Sequence, residues 1–295
     1  MPEIEEEIAI ILDNTLYISD LDGTLLGDDA TLSPHTVDVV NRFIEAGGLF
    51  SIATARSLNL GGKVMDPLHL KLPVCLNNGA VIYDFGKKEF LAVNRLPEDG
   101  LRKLSDLFEA ENLRGFVFGL DGHTVKIFHQ PLLRESERRY RESRYDAYGG
   151  HFYEVDDLAE GAASVVPEGT AAIIPFFCVV YGEPDFLADF QNQVNAIEGL
   201  QCSVYSDIYN EFFFMDIYSA AASKETGAKW IQQYCGAERV VAFGDNHNDI
   251  PMLLAADESY VTENGVEEAK AAATGVISHC DDSGVACFLT DRFGL

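Results

Sequence analysis

The stretch TLYISDLDGTLL, residues 15–26, constrains the fold more tightly than any other part of the chain. TLYISD reads as a strand that is apolar on both faces. Strands of that kind lie inside parallel sheets whose two faces are both covered by helices. The run ends in Asp20 and Asp22, two residues apart, and the chain then turns at Gly23. Two carboxylates held close together repel each other. A chain that keeps them there has a cation or a reaction to put between them.

The following segments fit the same architecture. LSPHTVDVVNRFIEAGG predicts a helix, with Ser33 as its cap, Pro34 in its first turn and Gly47-Gly48 at its end. LFSIATAR predicts a second strand. LPVCLNNGAVIYD predicts a third, with a turn at Asn77-Asn78-Gly79. Strand, helix, strand at this spacing is a βαβ unit. The pattern returns near the end of the chain: helix KETGAKWIQQYCG closed by Gly236, strand RVVAF running into Gly244-Asp245, helix DIPMLLAA, strand SYVT and helix GVEEAKAAA. The expected class is α/β, with a doubly wound, mostly parallel, Rossmann-like sheet as its core. The middle of the chain has a different texture. RGFVFGL, TVKIFHQ, AAIIPFFCVVYG and EFFFMDIYS are β-rich and aromatic, with helical stretches between them. We therefore expect a discontinuous core of residues 1–83 and 219–295, with an α+β domain of residues 84–218 inserted.

Composition narrows the partners. A net charge of -27 and a pI near 4.4 repel nucleic acid and anionic membranes, so neither is expected to bind. The same field repels a phosphorylated substrate, so an anion site here needs local compensation from a metal ion or a lysine. No run approaches the ~20 apolar residues of a membrane span. The opening MPEIEEEIAIILDN is acidic where a secretory signal would be basic. The six cysteines show no CxxC spacing, which fits reduced thiols in a cytoplasmic protein. Monomer and homodimer both remain open.

Ligands of open α/β sheets bind beyond the carboxyl ends of the strands. Read on that basis, the strand ends present Asp20 and Asp22, then Thr54, then the Asn77 turn, then Asp245 with Asn248 and Asp249. Lys224 stands at a predicted helix start. Singly, each has a plain explanation: an Asx turn, a strand-end threonine, a solvated lysine, a calcium-like loop in GDNHND. Together and in this order they suit phosphoryl transfer. Several carboxylates make a hard oxygen site for Mg²⁺. A lysine and a hydroxyl can hold phosphate oxygens. One carboxylate can attack phosphorus while the other moves protons.

DLDGT, ATAR, the lysine of SKETGAKWI and GDNHNDIPML resemble the four motifs of the haloacid dehalogenase-like hydrolases. NNGAVIYD and the ending ENGVEEAKAAATGVI…DDSGVACFL narrow the resemblance to the Cof-type branch, which has a large α+β cap between the second and third motifs. The resemblance implies that Asp20 is the nucleophile and Asp22 the general acid and base. It implies Mg²⁺ held by the Asp20 carboxylate, the Asp22 backbone carbonyl and Asp245. Thr54 and Lys224 would bind the phosphoryl group, with Asn248 beside it. Asp249 would orient Lys224 or a metal-bound water, and Arg56 would support the rim from behind. Two positions depart from the family pattern: Ala55 stands where glycine is usual, and Asn246 where serine or glycine is common. His247, next to it, is expected to face solvent rather than a metal.

Within the insert, Arg134, Arg138, Arg139, Arg141 and Arg144 are expected on a solvated helix of i,i+3 and i,i+4 ion pairs; a cationic face for a polyanionic leaving group is the alternative. EFFFMDIYS is expected to be strand core. The function implied is a Mg²⁺-dependent phosphatase that acts on a small phosphorylated metabolite, a sugar phosphate or phosphorylated cofactor, through an aspartyl-phosphate. The alternatives are a phosphotransferase or phosphomutase acting on sugar phosphates, or a binding protein without chemistry. A dehalogenase fits least, because Asp22 has no purpose in that reaction.

Overall fold

The computed structural model describes residues 14–159, 173–206 and 213–295, so the acidic opening MPEIEEEIAIILD lies outside the described residues. The first strands are β1 (Thr15–Ser19), β2 (Leu49–Ile52), β3 (Val74–Leu76), β4 (Val81–Asp84) and β5 (Glu89–Val93). The middle of the chain forms β6 (Phe116–Asp121), β7 (Thr124–His129), β8 (Phe152–Glu154), β9 (Ile174–Gly182), β10 (Leu200–Ser206) and β11 (Phe213–Ser219). The end forms β12 (Arg239–Gly244), β13 (Glu258–Thr262) and β14 (Gly275–Ile277).

β1 is central because nothing on it tolerates water. All five of its residues are buried, and it pairs in parallel with β12 on one side and β2 on the other. The sheet order is β14-β13-β12-β1-β2, parallel throughout. Alternate residues of β1 feed different layers. Tyr17 meets Phe43 of helix Pro34–Glu45 and Phe293 of helix Gly284–Phe293, at ring distances of 5.2 and 5.5 Å. Leu16 and Ile18 pack instead with Ala228 and Ile231 of helix Lys224–Cys235 and Met252 and Leu253 of helix Ile250–Ala255. Each such aliphatic side chain contributes roughly 1.5–3 kcal/mol by leaving water. The doubly wound core is thus what an apolar-both-faces strand requires.

The helix signals also hold. Ser33 Oγ accepts from the Thr36 N–H at 2.9 Å, capping Pro34–Glu45. Ser223 Oγ accepts from the Thr226 N–H at 3.0 Å, and Thr226 Oγ1 accepts from the Ser223 N–H at 2.9 Å. That reciprocal box fixes where helix Lys224–Cys235 begins.

A second sheet has the order β10-β11-β9-β6-β7-β8 and is antiparallel except between β7 and β8. One face, with Val117, Phe128, Cys178, Val180, Met215 and Ile217, packs with Leu104 and Phe108 of helix Glu98–Ala110 and with Leu187 and Phe190 of helix Pro184–Asn195. The other face turns toward the carboxyl rim of the parallel sheet. A smaller antiparallel sheet, β3-β4-β5, joins the core through a parallel bridge between Ala53 and Cys75. The division proposed from the sequence runs between β4 and β5, two paired strands of this small sheet, and near the end of β11.

Candidate active site

Directly after β1 the backbone amide of Asp20 donates to the Phe243 carbonyl at 3.0 Å, so the first aspartate is locked to the end of β12. The chain then turns over Leu21–Leu25. Gly23 has φ 75°, and a Cβ there would lie 2.5 Å from Asp245 Oδ2. Glycine is required twice at this residue, for the left-handed backbone and for the close approach of Asp245. The turn is tied down from the far side. The Gly23 carbonyl accepts from Thr262 Oγ1 at 2.9 Å and Asn264 Nδ2 at 2.7 Å, and Thr24 Oγ1 donates to Asp245 Oδ1 at 3.1 Å.

Lys224 is 1% exposed, and its Nζ lies 2.7 Å from Asp20 Oδ1 and 2.6 Å from Asp249 Oδ1. The Asn77–Gly79 turn holds the start of its helix: Gly79, with φ 89°, packs so closely on the Ser223 backbone that no side chain would fit. Burial disfavours the ammonium, but Asp20 and Asp249 outweigh it and hold its pKa above the lysine range. The other Asp249 oxygen accepts from the Asp245 and Asn246 N–H groups, both at 3.0 Å. Burial raises the Asp20 carboxyl well above its usual value; Lys224 opposes this, while Asp249, Asp245 and Asp22 add to it. Burial and then Asp249 push Asp245 up to about 6. Crowded carboxylates of this kind are short of positive charge. Oxygens of Asp20, Asp245 and Asp249 all lie within 4.8 Å of one another. This all-oxygen donor set fits a hard divalent cation such as Mg²⁺. Asp249 is already committed to Lys224 and two amides, which leaves Asp20 and Asp245 as the freer ligands.

The remaining candidates stand around this cluster. Asp22 is half exposed at the edge, and Arg56 grips it with two bonds of 2.8 and 2.6 Å. Thr54 is fully buried at its strand end, and its Oγ1 accepts from the Arg56 N–H at 3.1 Å. Asn248 lines the cleft and donates to Asn78 Oδ1 at 3.1 Å. Ala55 has no left-handed backbone, so alanine in place of glycine brings no strain. His247 is exposed, with Nε2 3.8 Å from Glu268. All six cysteines are free thiols, and three of them, Cys75, Cys178 and Cys280, are buried.

The rim and the second sheet enclose a cavity of about 350 Å³. Its far wall includes Phe118, Tyr140, Arg144, Tyr148, Phe177 and Asp216, none of which the motifs indicated. Two differences from the sequence reading explain this. On helix Glu135–Tyr145, Arg138 and Arg139 do pair with Glu135, both at 3.4 Å. Arg144 instead lies over the Phe214 and Tyr140 rings, at 5.6 and 6.0 Å. Tyr140 and Arg144 stand four apart on this helix, a legible signal for one shared face, and Tyr148 follows in the turn after it. On β11, Met215 and Ile217 are core as expected, but Phe214 and Asp216 alternate with them and line the cavity. Among the described residues, bonds that tie this wall to the rim include Tyr148 Oη with Ser57 Oγ at 2.7 Å, Asn59 Nδ2 to the Ala147 carbonyl at 2.8 Å, and Asn78 Nδ2 to Tyr205 Oη at 2.9 Å.

A parallel α/β sheet with clustered carboxylates at its carboxyl edge, faced by a second sheet, defines a capped α/β core with an acidic site. Comparison with known proteins gives the family. A profile of the haloacid dehalogenase-like hydrolases matches residues 17–289. A pyridoxal phosphate phosphatase of Escherichia coli is 28% identical over 280 residues, covering 92% of this chain and 95% of its own. A 5-amino-6-(5-phospho-D-ribitylamino)uracil phosphatase of Bacillus subtilis is 24% identical over 293 residues, 95% of this chain and 98% of its own. The solved structure of a family phosphatase from Bacteroides thetaiotaomicron superposes with a TM-score of 0.72 at 21% identity, covering 100% of this chain and 98% of that one. The chain belongs to the haloacid dehalogenase-like hydrolases, the family its motifs resemble, and is a phosphatase of the Cof type.

Proposed function

We propose that the protein is a Mg²⁺-dependent phosphatase that hydrolyses a small phosphorylated metabolite through an aspartyl-phosphate on Asp20. The observation that carries this reading is Lys224, buried and ion-paired between Asp20 and Asp249 beside Asp245. A buried lysine at that position supplies the local positive charge that a chain of net charge -27 needs to accept a phosphate.

In this reading an Asp20 oxygen attacks phosphorus in line with the ester oxygen. The P–O bond to the leaving group breaks as the bond to Asp20 forms. Asp22, turned inward from Arg56, gives its proton to the departing oxygen. It then takes a proton from the water that attacks phosphorus and releases phosphate, restoring Asp20. Lys224 and Thr54 hold the phosphoryl oxygens, and Asn248 borders them. Mg²⁺, held by Asp20, Asp245 and the Asp22 carbonyl, would offset the negative charge that gathers on the phosphoryl group. The relatives act on pyridoxal phosphate and on a phosphorylated ribitylamino-uracil, so a phosphorylated cofactor or a sugar phosphate is the substrate class we favour. Six thiols without a disulfide suit a cytoplasmic setting.

The test is phosphate release from a panel of sugar phosphates, pyridoxal phosphate, flavin mononucleotide and p-nitrophenyl phosphate. Turnover should need Mg²⁺, stop with chelator, and fall by about 10³-fold or more in Asp20→Asn. Turnover that survives that substitution would sink the reading.

A further inference from the structure

The cap side of the cavity is mostly aromatic, and one carboxylate stands in it. β11 turns Phe214 and Asp216 into the cavity, with Asp216 in register with Val179 of β9. Phe118 meets Tyr148 edge-on at 5.4 Å and Phe177 edge-on at 5.8 Å, so the rings form a packed, largely apolar wall beside the strand. Among the described residues lining the cavity from the cap, Asp216 is the only carboxylate. Its carboxylate makes no hydrogen bond or ion pair among the described residues. Arg144, the cation on the same wall, is directed to the Phe214 and Tyr140 rings instead.

This arrangement does nothing for the fold. A carboxylate drawn partly out of water without a partner is destabilising, and an apolar side chain would fill the same place at less cost. Burial pushes this carboxyl up to about 8. A group that costs stability and lines a cavity of ligand size is a group that waits for a ligand. The walls indicate its shape. A largely apolar aromatic wall suits a flat ring better than the many hydroxyls of an open sugar. The single carboxylate indicates its chemistry: one N–H donor or protonated ring nitrogen, which would let Asp216 ionise in a charge-assisted bond.

We propose that Asp216 selects the leaving group, and that the preferred substrates are phosphate esters of flat heteroaromatic alcohols whose ring nitrogen or N–H bonds to the Asp216 carboxylate beside the aromatic wall of Phe118, Tyr148 and Phe177. The proposal rests on the phosphatase reading and adds the substrate class to it. Asp20 and Lys224 line the same cavity from the rim, so phosphate and ring occupy opposite ends of one space.

Three probes separate shape from chemistry. Pyridoxal 5′-phosphate is flat with a ring nitrogen, p-nitrophenyl phosphate is flat without a donor, and ribose 5-phosphate carries donors without a flat ring. The wild type should prefer pyridoxal 5′-phosphate to ribose 5-phosphate in kcat/KM. Asp216→Leu should lower the kcat/KM ratio of pyridoxal 5′-phosphate to p-nitrophenyl phosphate by at least tenfold, with Asp216→Asn in between. The ratio is taken on one sample, so any unfolded fraction cancels. A ratio that moves less than twofold in both variants, or a wild type that prefers ribose 5-phosphate, overturns the proposal. Failure of the phosphatase reading looks different: no Mg²⁺-dependent phosphate release from any probe. In that case the subsite is read by absorbance titration of Asp20→Asn with pyridoxal 5′-phosphate. Binding at least tenfold weaker in Asp20→Asn/Asp216→Leu supports the subsite, and equal binding removes it.

Discussion

Lys224 shows at the scale of one residue how a site can cost stability and still persist. Its ammonium is fully buried and is tolerated because two carboxylates sit within 2.7 Å of it. Lys224→Met should abolish turnover. It should also destabilise the fold by roughly 3–5 kcal/mol in urea unfolding, because Asp20 and Asp249 are left buried and facing each other. Asp216 is the opposite case, a carboxyl whose replacement should help the fold. Its carboxyl titrates near 8 in the folded chain against 3.8 ordinarily. Below the ordinary value both states hold the proton, and Asp216→Asn should be neutral. As pH rises from there to about 8, the unfolded chain releases a proton that the folded chain keeps, so native stability falls. The gain from Asp216→Asn should therefore grow across that window, by no more than about 1.4 kcal/mol per pH unit, and then level off. Melting temperatures taken at pH 4, 6 and 8 check it; a gain that is flat with pH would remove the argument. The nucleophile and its lysine were legible because motif chemistry is local. Asp216 was not, since one aspartate in EFFFMDIYS has no meaning until the strand's two faces are assigned.

Elements carry their own electrostatics. Glu258 on β13 accepts from Arg239 on β12 at 2.9 Å and from Arg292 of helix Gly284–Phe293 at 2.7 and 3.0 Å. One carboxylate thus links two strands and the helix that covers them. Bonds from Arg292 hold its carboxyl down to about 2, against 4.5 ordinarily. A depressed carboxyl stabilises the fold above its ordinary value and loses that contribution as pH falls toward 2. Glu258→Gln should weaken the protein at pH 7 and matter progressively less below pH 4.5, and the difference should shrink in salt because the arginines are partly exposed. Acid unfolding of both proteins, at low and high salt, is the measurement. The same scale explains the arginine-rich helix. Charge spacing correctly foretold the pairing of Glu135 with Arg138 and Arg139. It said nothing of which face Tyr140 would bury, and burying Tyr140 is what swings Arg144 into the cavity.

For the whole molecule the question is how firmly the cap is closed. The tie between Tyr148 and Ser57 and that between Asn59 and the Ala147 carbonyl are two of the bonds that hold it to the rim. Each is worth about 0.5–1.5 kcal/mol. Removing both with Ser57→Ala/Asn59→Ala should cut the closed population by up to roughly tenfold for each 1.4 kcal/mol lost. A larger radius in small-angle scattering and a higher KM should follow, with little change in global unfolding. An unchanged radius and KM would show that these ties do not set closure.

What the sequence alone determined was everything that depends on short-range chemistry. Both-faces-apolar β1 dictated a parallel sheet covered on two sides. Gly23 dictated the turn that follows Asp20 and Asp22, and Lys224 was legible as the start of a helix. Only the tertiary structure decided what faces the rim across the cavity. Phe118, Arg144, Tyr148 and Asp216 come from separate strands and helices, and they converge because sheet order and helix packing bring them to one wall. No periodicity along a chain encodes a convergence that is made between elements.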